Sequence, residues 1–203
     1  MSIFKQRKAL LSNTKIIKNM DYISITISLI ALGVSLFTFW FINVKKGEVK
    51  MTRPNIICFL GQNNRDASKV FIRTLLYSTS NQGRYIQNMF IVLRHGETIQ
   101  NFNVWANDAN GLVRGSGLFV NKNGVSSYHH FLLPKDETEY IFKAGNYILQ
   151  IFIEIAGKKT KMIFEEHLKV TEQQAASLGQ GNAIYYDWAP NTRNYFSYTD
   201  AKP

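Results

Sequence analysis

The sequence predicts an all-β antiparallel sandwich behind one N-terminal transmembrane α-helix. Three observations lead there. Tyr22 to Val44 holds no charged side chain, and at roughly 1.5 Å per helical residue it reaches about 35 Å, past a hydrocarbon core of about 30 Å. From Pro54 onward, short β-branched and aromatic runs recur with Gly, Asn and Pro between them, the spacing of sandwich or barrel strands. A helical period returns only at Glu172 to Leu178.

The apolar stretch has two rivals. A cleaved signal peptide needs small residues after its core, whereas Phe37, Phe39, Trp40 and Phe41 stand there. A buried strand would continue the alternation of Ile23, Ile25 and Ile27 with Ser24, Thr26 and Ser28, but that alternation stops at Leu29. An uncleaved anchor fits both facts. Tyr22 and Trp40 lie near its ends, where amphipathic rings favour headgroup depth. Ser24 and Ser28 with Gly33 supply small residues through which two such helices can approach, so a homo-oligomer is one expectation. Lys5, Arg7, Lys8, Lys15 and Lys18 precede the span, and Lys45, Lys46, Lys50 and Arg53 follow it. This balance favours a cytoplasmic N-terminus, with the span in a cell (inner) membrane and the following domain outside. The residues before Tyr22 read equally as a short amphipathic helix or a loosely ordered basic leader.

The chain has 203 residues and a net charge of +10. The basic leader accounts for part of that charge and suits anionic headgroups. Removing leader, span and tail leaves enough chain for one ordinary domain. Cys58 is the sole cysteine, which excludes an internal disulfide and a cysteine-based metal cluster. No Asn-x-Ser/Thr sequon occurs.

The order of elements follows from the pattern. Residues 1–21 form the leader, 22–44 the span, and 45–53 a polar connector. Residues 54–171 form the sandwich. Its strands are expected at Ile56–Leu60, Val70–Tyr77, Tyr85–Leu93, Ile99–Ala106, Leu112–Val120 (interrupted by Gly115 and Gly117), Val125–Leu133, Tyr140–Phe142, Tyr147–Ile155 and Lys161–Val170. Residues 172–203 hold a short helix and an aromatic-rich tail.

Ala144-Gly145-Asn146-Tyr147 opens the most regular strand, with Tyr147, Leu149, Ile151, Ile153 and Ile155 on one face. This resembles the tyrosine-corner entry of immunoglobulin-like sandwiches over roughly Met51 to Thr171. The resemblance implies that the Tyr147 hydroxyl ties back to the chain just before it. The cysteine pair of antibody domains is missing. The layout also resembles bacterial single-span membrane proteins with such a domain, and fold alone names no function.

In Tyr128-His129-His130-Phe131 the two histidines fall on opposite faces of a strand, so they do not grip one metal ion. His95 sits at a turn and His167 on a solvent face, neither with a nucleophile or paired acid at a useful spacing. Arg114-Gly115-Ser116-Gly117 lacks the lysine and following helix of a phosphate loop. Tyr185, Tyr186, Trp188, Tyr195, Phe196 and Tyr198 either pack back on the sandwich or anchor a partner. The expectation is therefore a membrane-anchored interaction or assembly module, not an enzyme. It has no cofactor and no metal, its partners are the bilayer and another protein, and no nucleic acid is expected. Two alternatives are a sensor of an anionic small molecule signalling through the span and a metallochaperone-like assembly factor. The second resembles copper-delivering assembly proteins of cytochrome oxidase, whose Cys-x-Cys pair is reduced here to Cys58 in Ile57-Cys58-Phe59.

Overall fold

The computed structural model describes residues 3–44, 47–62, 67–108, 112–114, 117–134 and 139–200; for residues 3–19, 107–108, 112–114 and 200 it describes the backbone alone. The chain divides into two compact units, Met1–Lys46 and Gly47–Pro203.

In the first unit, helix α1 runs unbroken over Ile3–Phe39 and ends in a π-helical turn, Trp40–Val44. The leader is thus continuous with the apolar stretch. Met20–Val44 is long and apolar enough to cross a membrane. Four of its hydroxyls bond back onto the helix. Thr26 donates to the Tyr22 carbonyl, Ser28 to Ser24, Ser35 to Ala31 and Thr38 to Val34, each at 2.7–2.8 Å. Hydrocarbon solvates no polar group, so this folding back is what lets Ser and Thr occupy a span. It also accounts for the Ser/Thr alternation without a strand.

The second unit is an antiparallel sandwich. Its strands are β1 (Val49–Met51), β2 (Ile56–Leu60), β3 (Lys69–Ser78), β4 (Arg84–His95), β5 (Thr98–Phe102), β6 (Val104–Asp108), β7 (Leu112–Arg114), β8 (Leu118–Val120), β9 (Val125–Leu132), β10 (Gly145–Ile155), β11 (Lys161–Val170), β12 (Ala183–Ala189) and β13 (Asn194–Asp200), with helix α2 (Glu172–Gly179) before β12. One sheet runs β13-β12-β2-β3-β9-β6-β7, with β1 also on β3; the other runs β11-β10-β4-β5, with β8 also on β4.

Several expectations change. The connector contains β1, which continues the line of β2 along β3, with Thr52–Asn55 bulging between them. Pro54, which has no amide hydrogen to give a ladder, sits in that bulge. The runs 99–106 and 112–120 each split and change sheet: β5 and β8 pair with β4, whereas β6 and β7 pair with each other. Tyr140–Phe142 is not a strand; it is coil that places Phe142 in the core. The C-terminal tail is a hairpin that joins the first sheet through β2.

The core lies between the sheets. Met89, Ile91 and Leu93 from β4 meet Tyr147, Leu149, Ile151 and Ile153 from β10, all with no solvent exposure. Facing them are Ile57, Phe59, Val70, Ile72 and Phe131. The tyrosine corner forms as expected. Tyr147 Oη donates to the Lys143 carbonyl at 2.7 Å and accepts from the Lys143 amide at 2.8 Å. Gly145 takes φ +141°, and a Cβ there would meet the His95 ring, which stacks on Tyr147 at 4.6 Å. Thr171 caps α2 through a reciprocal capping box with Gln174.

Candidate functional site: an aromatic face on the larger sheet

The period of two sorts the six tail aromatics into opposite sets. Tyr186, Trp188 and Tyr195 face inward. Tyr186 is buried and donates to the Lys169 carbonyl at 3.1 Å; Tyr195 Oη donates to the Pro54 carbonyl at 2.7 Å. Trp188 packs on Tyr195 and lies under the Arg53 guanidinium, 4.3 Å from its carbon. Arg53 also pairs with Glu166 of β11, so it clasps the two sheets. Burial raises the Tyr186 and Tyr195 hydroxyl pKa values and holds both neutral.

Tyr185, Phe196 and Tyr198 face outward. Register places Tyr198, Tyr185, Cys58, Phe71 and His130 in one row across five strands. The rings form a continuous ladder: Tyr198 stacks on Tyr185 at 5.5 Å, Tyr185 meets Phe71 edge-on at 5.9 Å, and Phe71 stacks on His130 at 5.5 Å. Beneath it, Cys58, Leu60 and Ala183 form a small buried cluster separate from the main core. The neighbouring row reads Phe196, Asp187, Ile56, Arg73 and Tyr128, with Arg73 over the Tyr128 ring at 5.1 Å. Phe196 is 56% exposed and Tyr198 47%. The outer face of the larger sheet thus carries an aromatic row beside a mixed one, and no described second layer covers it.

The row explains the histidine pair. His130 belongs to the outer ladder, while His129 is fully buried and accepts at Nδ1 from Trp105 Nε1 at 3.2 Å. That bond places the imidazole proton on Nε2, which has no hydrogen-bond partner among the described residues. Burial, then the neighbouring His130, lowers the His129 pKa to about 4. An unfolded chain titrates this residue near 6.5. Between those values the unfolded state binds a proton that the folded state refuses. Stability is thus full above pH 6.5 and falls as pH drops toward 4, by on the order of 3 kcal/mol. Urea midpoints of the wild type will show this slope, and His129→Gln will flatten it. Equal slopes in the two proteins would count against a neutral buried His129.

The remaining candidates take structural places. His95 Nε2 lies 3.1 Å from the Ala144 carbonyl and serves the tyrosine corner. His167 is solvent-facing, near Glu165. Gly115 and Ser116 lie outside the described residues, and Arg114 is described only as backbone. Cys58 is buried, and burial raises its thiol pKa far above the ordinary range, which keeps it protonated. Among the described residues no three His, Cys, Asp or Glu side chains gather as metal ligands. In the first unit, Tyr22 and Trp40 are exposed near the ends of the apolar stretch, and Gly33 faces open space. The residues that tail composition does not reveal are Phe71, His130, Cys58 and Tyr128. The alternation of β3 and β9 puts each on an outer face, but only cross-strand register joins them to Tyr185.

No protein-family model matches the chain. No curated protein is similar to it in sequence. Among solved structures, the chain is similar to a late embryogenesis abundant (LEA) protein, at 15% identity and a TM-score of 0.35, over 76% of this chain and 88% of that one. It is also similar to the sporulation control protein Spo0M of Bacillus subtilis, at 9% identity and a TM-score of 0.32, over 78% of this chain and 76% of that one.

Proposed function

We propose that the chain is a membrane-anchored interaction or assembly module whose outer aromatic face docks a protein partner, with no chemistry of its own. The observation that carries this is the outer end of the ladder, exposed Tyr198 on half-buried Tyr185, with exposed Phe196 in the next row and the buried Cys58 cluster beneath. Rigid aromatic side chains already held by neighbours lose little entropy on docking, which is why Tyr and Trp serve as anchors. Arg73 and Lys69 border the face and favour a partner with acidic groups at its rim. In this reading α1 holds the sandwich at an inner membrane, N-terminus in the cytoplasm and sandwich outside, in line with the lysines before Tyr22.

The test is a photo-crosslinking residue at Phe196 in intact cells, with the same residue at Tyr85 as a comparison. Tyr85 is 63% exposed on the other sheet. A discrete heavier adduct is expected from Phe196. Its yield should fall by about tenfold or more when Tyr185 and Tyr198 are changed to Ser, as for the loss of an anchor. No discrete adduct from Phe196 would sink the reading.

A further inference from the structure

Among the described strands the sandwich has four edges, and three are guarded against strand addition. β5, β7 and β8 are short, and β11 carries Lys161, Glu165, Glu166, His167 and Lys169. Short length and charge are how edges avoid templating another chain. The fourth, β13, is different. Among the described strands it pairs with β12 alone. It has seven residues, none charged before Asp200. From Asn194 to Thr199 every residue except Tyr195 is exposed, and on the inner side Ser197 Oγ accepts from Gln174 Nε2 of α2 at 2.9 Å.

Its sequence is also self-complementary. Asn194-Tyr195-Phe196-Ser197-Tyr198-Thr199-Asp200 reads outward from Ser197 as aromatic, then Tyr or Thr, then polar. We propose that two copies of this chain pair their β13 strands antiparallel about a twofold axis at Ser197, joining two eight-stranded sheets into one. This rests on the outward rings of β13 belonging to a docking surface and names a second copy as what Phe196 meets; the pairing extends the outer face and does not cover it. In that register Ser197 meets Ser197 of the second copy, and each Phe196 meets a Tyr198. The ladder then continues across the axis through two cross-strand aromatic pairs, the kind of contact that stabilises paired strands. Tyr195 meets Thr199 on the inner side. Asp200 falls opposite Asn194 and one position from Arg193, so no like charges meet. Moving the axis to Phe196 or Tyr198 keeps the faces but leaves an aromatic ring opposite a polar residue, and charge against aromatic at one of them. The interface is isologous and closed, so it makes a dimer and not a fibre.

The span can hold copies together by its own contacts, so dimer mass alone does not test this; register does. Ser197→Cys in the full chain, oxidised mildly in its native membrane, is expected to give a disulfide-linked dimer. Residues directly opposite lie about 4.5–5.5 Å apart at Cα, within disulfide reach. Thr199→Cys puts its two thiols roughly four residues apart, about 13 Å, and should give about tenfold less dimer or none. Cys58 is buried and supplies no background. Adding F196K and Y198K sets cations opposite cations and should abolish the Ser197→Cys dimer. Equal trapping at Ser197 and Thr199, or Ser197→Cys trapping that survives both lysines, would overturn the proposal. If Ser197→Cys fails to dimerise while Phe196 crosslinks to a different chain, the twofold pairing is wrong and the docking face stands. If Phe196 yields no adduct at all, both fall.

Discussion

Tyr147→Ala will lower the stability of the sandwich by about 3–5 kcal/mol, the loss expected when a large buried aromatic is truncated. Tyr147 is the largest fully buried side chain among the described residues. Its ring lies 4.6 Å from His95, 5.9 Å from Phe59 and 6.4 Å from Phe142. Alanine would leave a cavity bounded by rings from both sheets, which cannot collapse without moving β4 or β10. Tyr147→Phe separates packing from polarity. It keeps the ring and removes both bonds to Lys143. Its cost should be about 1–3 kcal/mol, toward the low end where water reaches the exposed Lys143. Urea unfolding of the full chain in detergent, followed through Trp105 and Trp188, measures both. A Phe variant as stable as the wild type would mean the corner is decoration; an Ala variant no worse than Phe would deny the ring its packing role.

Gly61→Ala is expected to cost about 1–3 kcal/mol or more, because the obstacle is backbone. A Cβ at Gly61 would stand 1.8 Å from the Leu178 carbonyl oxygen and 2.6 Å from its carbon. That carbonyl already accepts from Gly181 at 2.9 Å, and the Gly61 amide donates to Asn182 at 3.2 Å. The end of β2 and the end of α2 are thus fitted together through main-chain atoms. Relief requires α2 to lift, and α2 leads directly into β12. Amides of β12 and β13 should then exchange faster than those of β4 and β10. Gly179→Ala, which meets nothing within 4 Å, is the comparison and should be close to neutral. Unchanged hairpin exchange in Gly61→Ala would refute the fitted joint.

The parts legible in the sequence are those set by local period. The alternation in β4 and β10 identifies their buried faces, and Ala144-Gly145-Asn146-Tyr147 announces the corner. The sheet changes between β5 and β6 and between β7 and β8 are not legible. A strand that switches sheets keeps its β-branched composition, and only a short break at Asn103 or near Gly117 marks the crossing. The β12–β13 hairpin had a signal in Pro190-Asn191-Thr192-Arg193, turn residues between two aromatic runs. Its aromatic content masks this, since inward and outward positions are equally apolar. The same ambiguity hides the ladder. Cys58, Phe71, His130 and Tyr185 are separated by long stretches of chain, and no periodicity encodes which residues of distant strands stand side by side.

The pairing of β2 with β12 has a consequence for synthesis. The Tyr195–Pro54 hydrogen bond joins residues 141 positions apart. Closing so long a loop is slow, and it waits until the second partner has been made. Until β12 leaves the ribosome, the flank of β2 is open and Phe59 lacks the ring of Tyr186, which sits 5.3 Å away in the finished sandwich. The nascent chain thus emerges with its first strands unsealed and receives its seal last. During that interval a chaperone has the most to hold, and a stalled or truncated chain has the most to aggregate through.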